Sequence, residues 1–576
     1  MKSASMIMKN NVLLLFTIAL LVGNIVFWGS QKEGYHVDEM FSYEQVGNTE
    51  YPKPTYNRPD EPCWNYWHSR AYYEDYLTIS EGERFNLVGF YRSASKNDAH
   101  PPLYLMLLGM FISAVSPNHF TKWSGIGLNI LFYILMLLVL YDMSKRVLKK
   151  ERPALLSVFL CGLSVGIVSM AVFIRVYIIL MFFVVSFADV HVRMLEQKQV
   201  ISSSLRKRMV FYFELALLFV GGAMSQYYFL VYAFFLCLGF WLILLITRER
   251  RLLLEYAIAV AGGFCVYCLL WPGMLNDILY ESRGVESAAN FAGAEKRYAT
   301  EAVHYFRGID KETTGGLFAA LIVVFVIALI VKTIRKYALR IRLEGSAGIQ
   351  ISYQRPSAIS LPAGTGIVSV NIEWAMLAIV LVPAVSYVML IAKIAPTLPS
   401  EPYKTTRYIT CVYPFFILFD VFFIDRILLR YNRTKILKAI IWPLLILMAV
   451  TGYFTGSVKH LYPGAVDQLE MLNAYSGDRA VLVTEAGYVS SDLNVYFTKH
   501  EAVYLTNHEG LSTLSAAFEG TPDEEILVYI CDRTEDSREV LKRIGEEINV
   551  TDSSFLFKTA GSNRADVYLM NLKRME

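Results

Sequence analysis

Apolar runs of membrane-spanning length decide what this chain can fold into. Eleven lie at about residues 11–29, 122–142, 153–171, 174–193, 209–224, 227–246, 252–271, 315–333, 373–393, 406–427 and 436–456. Each is close to the roughly 20 residues a helix needs to cross a bilayer. In lipid a segment must satisfy its own backbone N–H and C=O groups, so such runs fold as helices. Of the 576 residues, 55% are hydrophobic and 18% charged, with a mean hydropathy of +0.39. A soluble domain carries nearer a quarter charged residues. The net charge of +3 is too small to imply a nucleic-acid partner. The chain reads as a polytopic α-helical membrane protein with about 11 transmembrane helices, and the bilayer is its first partner.

Charge in the loops sets the topology. Lys2 and Lys9 precede the first run, and Gly29-Ser30-Gln31 is a poor cleavage site, so the segment reads as an uncleaved anchor. The basic loops Lys145–Arg152, Arg193–Arg208, Arg248–Arg251, Lys332–Arg342 and Arg426–Lys438 all fall on one side if the eleven runs alternate. By the positive-inside rule that side is cytoplasmic. The pattern requires that the short apolar stretch 101–115 does not cross, which makes it an interfacial or re-entrant helix. The expectation is a multi-pass protein of the cell (plasma or inner) membrane, with its N-terminus cytoplasmic and its C-terminus external.

Residues 1–456 form the membrane domain on this reading. Its first external loop is 31–121, rich in Tyr and Trp; its second is 272–314; a cytoplasmic loop spans 334–372, with a Ser/Gly/Pro-rich stretch at Gly345–Gly366. Residues 457–576 read as a small external α/β domain. Arg479–Thr484 and Glu525–Ile530 have the look of buried strands, Ser537–Ile548 has helical spacing, and Phe555–Lys558 with Val567–Asn571 suggests a terminal strand pair. This tail has no nucleotide-binding glycine motif and no catalytic triad. A lid, acceptor docking or partner contact would suit it.

Polar residues at the edges of spans are costly and tend to be functional. On the external side stand His36, Asp38 and Glu39 after the first run, and His100-Pro101-Pro102-Leu103-Tyr104 at the short helix. Arg175 and Tyr177 head the fourth run, Gln226-Tyr227-Tyr228 lies between the fifth and sixth, and Glu401…Lys404…Arg407-Tyr408 leads into the tenth. Each has a plainer reading. The acidic pair could cap a short helix beginning at Met40, His100-Pro-Pro could be a rigid turn, Arg175 could snorkel, and the tyrosines could form an aromatic belt. Their convergence on one face is stronger than any member. Carboxylates bring acid/base capacity, and arginine brings a rigid fork for phosphate. His36, Asp38 and Glu39 could also hold Mg²⁺ or Mn²⁺, which favour oxygen ligands.

One carboxylate and several cations at a membrane surface suit sugar transfer from a lipid phosphate. Arginine stabilises the charge on the departing phosphate, and the carboxylate accepts a proton from the attacking hydroxyl. A single carboxylate opposite the leaving group inverts the anomeric centre. Asp38-Glu39, His100-Pro-Pro-Leu-Tyr104, Arg175-x-Tyr177 and Arg407-Tyr408 followed by Pro414, in this order, resemble the GT-C membrane glycosyltransferases. The nearest branches are the protein O-mannosyltransferase-like, aminoarabinose-transferase-like and lipopolysaccharide-core-transferase-like groups. The likeness covers about residues 10–430 and implies a GT-C fold, a polyprenyl-phosphate-sugar donor and an external site. It implies Asp38 as catalytic base with Glu39 beside it, and His100, Arg175, Tyr177, Gln226, Tyr227, Arg407 and Tyr408 around the donor phosphate and substrate. No cofactor is required in the mannosyltransferase-like branch, whereas some GT-C enzymes need a divalent cation. Gln226 departs from the His-Tyr of many relatives. The acceptor, whether an envelope glycan, a lipid or a protein, stays open. A lipid or glycolipid flippase and a non-catalytic envelope-assembly protein are the competing classes. Transporters tend to carry mid-membrane charges and internal repeats, and this chain has neither pattern.

Overall fold

The computed structural model describes residues 2–572 apart from 50–61, 98–99, 203, 281, 294, most of 317–371, 397–404, 429–434, 476–477, 486, 520–523, 532–535 and 549. Among the described residues seven helices are long and apolar enough to cross a membrane: 10–30, 122–148, 177–197, 205–225, 228–246, 250–270 and 372–394. Glu151–Leu163 and Val165–Val172 make an eighth if they form one span, bent by 55°. Lys435–Gly456 is also helical and fills the last run. The run at 315–333 falls mostly outside the described residues, as does much of the 334–372 loop, where Arg340–Glu344 pairs with Gly348–Ser352 as a hairpin. The short apolar helix Leu103–Val115 has 13 residues. It is about 20 Å long, short of the roughly 30 Å hydrocarbon core.

Two expected spans are not continuous helices, and both breaks help to build the site. The run 153–171 breaks at Ser164, whose hydroxyl donates to the Glu312 carbonyl at 2.8 Å. Helix then stops at Val172 and resumes at Tyr177, leaving irregular backbone between. Irregular backbone at membrane depth persists only where protein groups satisfy it. Buried Asn129 donates its Nδ2 to the carbonyls of Ala171 (3.1 Å) and Phe173 (2.8 Å). Glu39 Oε1 accepts the Ile174 N–H at 2.8 Å. Gly125 lets this loop come close, since a Cβ there would sit 2.1 Å from Ile174 Cγ2. The run 406–427 opens as two 3₁₀ turns, Thr406–Tyr408 and Thr410–Val412, before the helix Tyr413–Phe422. Pro414 favours that late start, because proline fits a helix's first turn and breaks its interior.

The first helix, α1 (Lys2–Ser30), leads through a short bend into α2 (Val37–Gly47). Beyond the membrane helices stands a six-stranded sheet. Its strands are β1 (Tyr66–Ser69), β2 (Ala480–Thr484), β3 (Ala502–Thr506), β4 (Glu524–Cys531), β5 (Val550–Lys558) and β6 (Asp566–Leu572), in the order β1-β3-β2-β4-β6-β5. β2 runs parallel to both β3 and β4, and the other pairs are antiparallel. Every residue of β2 is buried, as befits a parallel strand covered on both faces. β1 comes from the first external loop and pairs with β3 from Tyr66↔Leu505 to Ser69↔Ala502. Cys63, Tyr72, Tyr73 and Tyr76 of the same loop pack into the sheet's core with Tyr496, Phe497 and Tyr529. The sheet domain is therefore built from the first loop as well as the tail.

Candidate active site

The site centres on the first turn of α2. That helix starts at Val37, earlier than the Met40 start considered from sequence. His36 is its N-cap: Nδ1 accepts the Asp38 N–H at 3.0 Å, and Glu39 Oε2 accepts the His36 N–H at 2.7 Å. This reciprocal pair is a capping box. Successive residues on a helix turn by about 100°, so the two carboxylates face different surroundings. Glu39 is fully buried; its Oε2 also takes Lys32 Nζ at 2.9 Å while Oε1 takes Ile174 N–H. Lys32 in turn donates to the His460 carbonyl at 2.6 Å. Glu39 thus fastens the end of α1, the start of α2, the break at 173–176 and the tail at one point. Both its oxygens accept bonds from the surrounding protein, an arrangement that fits a positioning role.

Asp38 keeps 31% of its side chain exposed, with Oδ2 2.9 Å from Arg407 Nη1 and 3.6 Å from His36 Nδ1. Burial alone would raise its carboxyl, but its charged neighbours, the Arg407 guanidinium foremost and Arg175 with it, hold it below the usual carboxylate range. Burial takes His36 down to about 4 against the pull of Asp38. At neutral pH His36 is therefore uncharged, and the cation that keeps Asp38 ionised is Arg407. Arg175 Nη1 donates to the Asp38 carbonyl (3.2 Å) and to Ser42 Oγ (2.8 Å), bracing the helix that carries Asp38.

Arg407 sits on the first 3₁₀ turn. Its Nη2 donates to Tyr408 Oη at 3.2 Å, its guanidinium lies 5.2 Å from the Tyr408 ring centre, and its buried Nε has no partner among the described residues. The Tyr408 ring meets Tyr228 at 5.3 Å and Tyr177 at 6.5 Å, and Tyr177 stacks on Phe173 at 5.8 Å. Gln226 and Tyr227 point elsewhere. Gln226 Oε1 accepts the Tyr227 N–H at 2.8 Å, while the Tyr227 hydroxyl bonds Asp277 and accepts from Trp271 Nε1 at 2.8 Å. Tyr227 thus closes on the 272–314 loop, and Tyr228 of the same turn reaches the cluster.

The fold is similar to that of ArnT from Cupriavidus metallidurans. Its apo crystal structure aligns at 10% identity over 96% of this chain and 97% of that one, with a TM-score of 0.46. The same protein bound to undecaprenyl phosphate aligns at 10% identity over the same shares, with a TM-score of 0.45. The apo oligosaccharyltransferase of Archaeoglobus fulgidus aligns at 12% identity over 90% of this chain and 69% of that one, TM-score 0.45. No family model matches the sequence, and no curated protein does.

Several residues that build the site went unread in the sequence. Glu312 Oε1 binds Lys459 Nζ and the Thr406 hydroxyl, each at 2.8 Å, and Oε2 accepts the Tyr413 hydroxyl at 2.7 Å. Lys32, Lys459 and His460 each lie a few residues beyond the end of an apolar run, so the criterion that found Asp38 would have found them. Glu312 lies three residues before the run 315–333, at the end of a charged amphipathic helix, so the same criterion reaches it too. The trio His36, Asp38 and Glu39 does not converge, because the His36 Nδ1 and both Glu39 oxygens are engaged. Among the described residues no three of His, Cys, Asp and Glu are grouped to hold a metal ion.

Proposed function

We propose that this chain is an inverting glycosyltransferase of the GT-C type. It moves a sugar from a polyprenyl-phosphate donor to an envelope glycan, lipid or protein acceptor at the external membrane face. One observation carries the reading: a partly exposed Asp38 carboxyl is held 2.9 Å from a buried arginine at the edge of a bundle of membrane-length helices.

Asp38 is the base in this reading. It accepts the proton of the acceptor hydroxyl as that oxygen attacks the anomeric carbon, and the bond to the phosphate oxygen breaks on the opposite face. Arg407 meets the charge that develops on the leaving phosphate. As its guanidinium follows that charge it loosens from Asp38, whose basicity rises at the moment the proton must move. Arg175 and Glu39 are positioning residues that fix the first turn of α2. Tyr177, Tyr228 and Tyr408 form an aromatic wall beside Arg407. No cofactor is required, because the cation at the phosphate is a side chain. The sheet domain, which shares its first strand with the loop carrying Asp38, shapes acceptor choice.

The test is release of free polyprenyl phosphate, followed by mass spectrometry, when purified protein meets an extract of lipid-linked sugars and envelope acceptors. The wild type should release it and Asp38→Asn should not. Equal release by both would sink the assignment.

A further inference from the structure

The segment Ser457–Tyr462, which links the last membrane helix to the sheet domain, is held in a conformation most residues avoid. Ser457, His460 and Tyr462 have φ of 50°, 66° and 49°, the left-handed region that favours glycine. Such backbone persists where its surroundings fix it, and it gathers at functional sites. Here the fixing contacts all belong to the candidate site. Leu461 O accepts the N–H groups of Glu33 (2.8 Å) and Gly34 (3.3 Å), and His460 O accepts Lys32 Nζ. The Lys459 N–H donates to Ser169 Oγ at 3.0 Å, and the His460 ring stacks on Phe173 at 4.0 Å.

The strap brings Lys459 to the 3₁₀ turn that carries Arg407. The Lys459 ammonium donates to Glu312 Oε1 at 2.8 Å and to Thr406 Oγ1 at 3.0 Å, and Thr406 is the residue before Arg407. Its third N–H has no partner among the described residues. The Lys459 side chain is 45% exposed, whereas Glu312 is only 7% exposed. His460 registers the field: burial lowers its imidazole far below the ordinary value, and His36, Lys32, Arg407 and Lys459 push it the same way.

We infer that Lys459 is a second cation of the donor-phosphate site and that Glu312 is the residue that positions it. The inference rests on the glycosyltransferase reading. Its physical ground is a division of labour. Arg407 Nη1 is paired with Asp38 at 2.9 Å, so a second cation adds to the charge that can meet the incoming anion. Lys459 has a free N–H and an exposed side chain. Glu312, which also receives the hydroxyls of Thr406 and Tyr413, aims it without consuming it.

The experiment measures binding of undecaprenyl phosphate to full-length protein in detergent. It compares the wild type with Lys459→Gln, Glu312→Gln and the double variant. Loss of a charge-assisted contact should weaken binding by roughly tenfold or more in Lys459→Gln. Glu312→Gln should bind less tightly than the wild type but more tightly than Lys459→Gln, because the amide oxygen still accepts from the ammonium while the charge that aims it is lost; binding at wild-type strength would remove Glu312 from the positioning role. The double variant carries no stranded charge, so it reports even where Lys459→Gln folds poorly; it should bind as weakly as Lys459→Gln. Wild-type affinity in the double variant would mean that Lys459 merely neutralises Glu312, and the inference falls. Unchanged affinity in Lys459→Gln sinks it too, while the glycosyltransferase reading stands. A wild-type protein that does not bind undecaprenyl phosphate overturns both.

Discussion

Replacing Glu39 with glutamine separates a positioning residue from a reacting one. Glu39 and Lys32 both have fully buried side chains, so Glu39→Gln strands an ammonium away from water. Breaking a buried pair from one side costs about 3–5 kcal/mol. The amide adds to the loss. Its single oxygen cannot accept from both His36 N–H and Ile174 N–H, and one net hydrogen bond is worth about 1 kcal/mol. Against a typical folding stability of about 5–15 kcal/mol, this is a large share. Thermal unfolding of the full-length protein in detergent should show a marked drop for Glu39→Gln. The companion Lys32→Met/Glu39→Gln removes the stranded charge and should recover a good part of it, together with some turnover. If Glu39→Gln unfolds like the wild type yet loses turnover, Glu39 is a reacting group and the positioning argument is wrong.

Three further outcomes follow from the contacts. Asn129→Leu keeps the volume but leaves the Ala171 and Phe173 carbonyls unpaired; thermal unfolding should report a loss of about 1–3 kcal/mol or more, with turnover falling as the loop bearing Arg175 shifts. Burial raises the Asp492 carboxyl to about 7, so the folded chain holds a proton that the unfolded chain releases. That contribution is full below pH ~4 and is lost as pH rises through about 7, so melting temperature against pH from 4 to 8 should fall less steeply in Asp492→Asn. Deleting 465–576 removes the partner of β1 and the Ser491 and Asn494 side chains that bond buried Glu44 of α2. Limited proteolysis should then cut within 62–97, and acceptor transfer should fall.

The membrane character was legible because span length is a local property of the chain. Asp38, Arg175 and Arg407 were legible for a related reason, since a charge at the edge of an apolar run is expensive wherever the chain goes. The role of Glu39 was not, because it depends on an ammonium seven residues away and an amide 135 away that only the fold brings together. The breaks at Ser164 and at 406–412 were hidden too. An apolar run looks alike whether or not a neighbouring helix supplies an Asn129 to satisfy an open turn. The core strands of the tail could be read from their apolar runs, with β4 and β2 close to the expected bounds. β1, only four residues in an aromatic loop, has meaning only against β3.

The central claim is that Asp38 and Arg407 transfer a sugar from a polyprenyl phosphate. It is tested most directly by mass analysis of lipid-linked sugars in cells that lack the protein, complemented with wild type or with Asp38→Asn. A polyprenyl-phosphate sugar should accumulate in the deletion and in the Asp38→Asn strain, and be cleared by the wild type. Lipid-linked sugars that are identical in all three strains would contradict it.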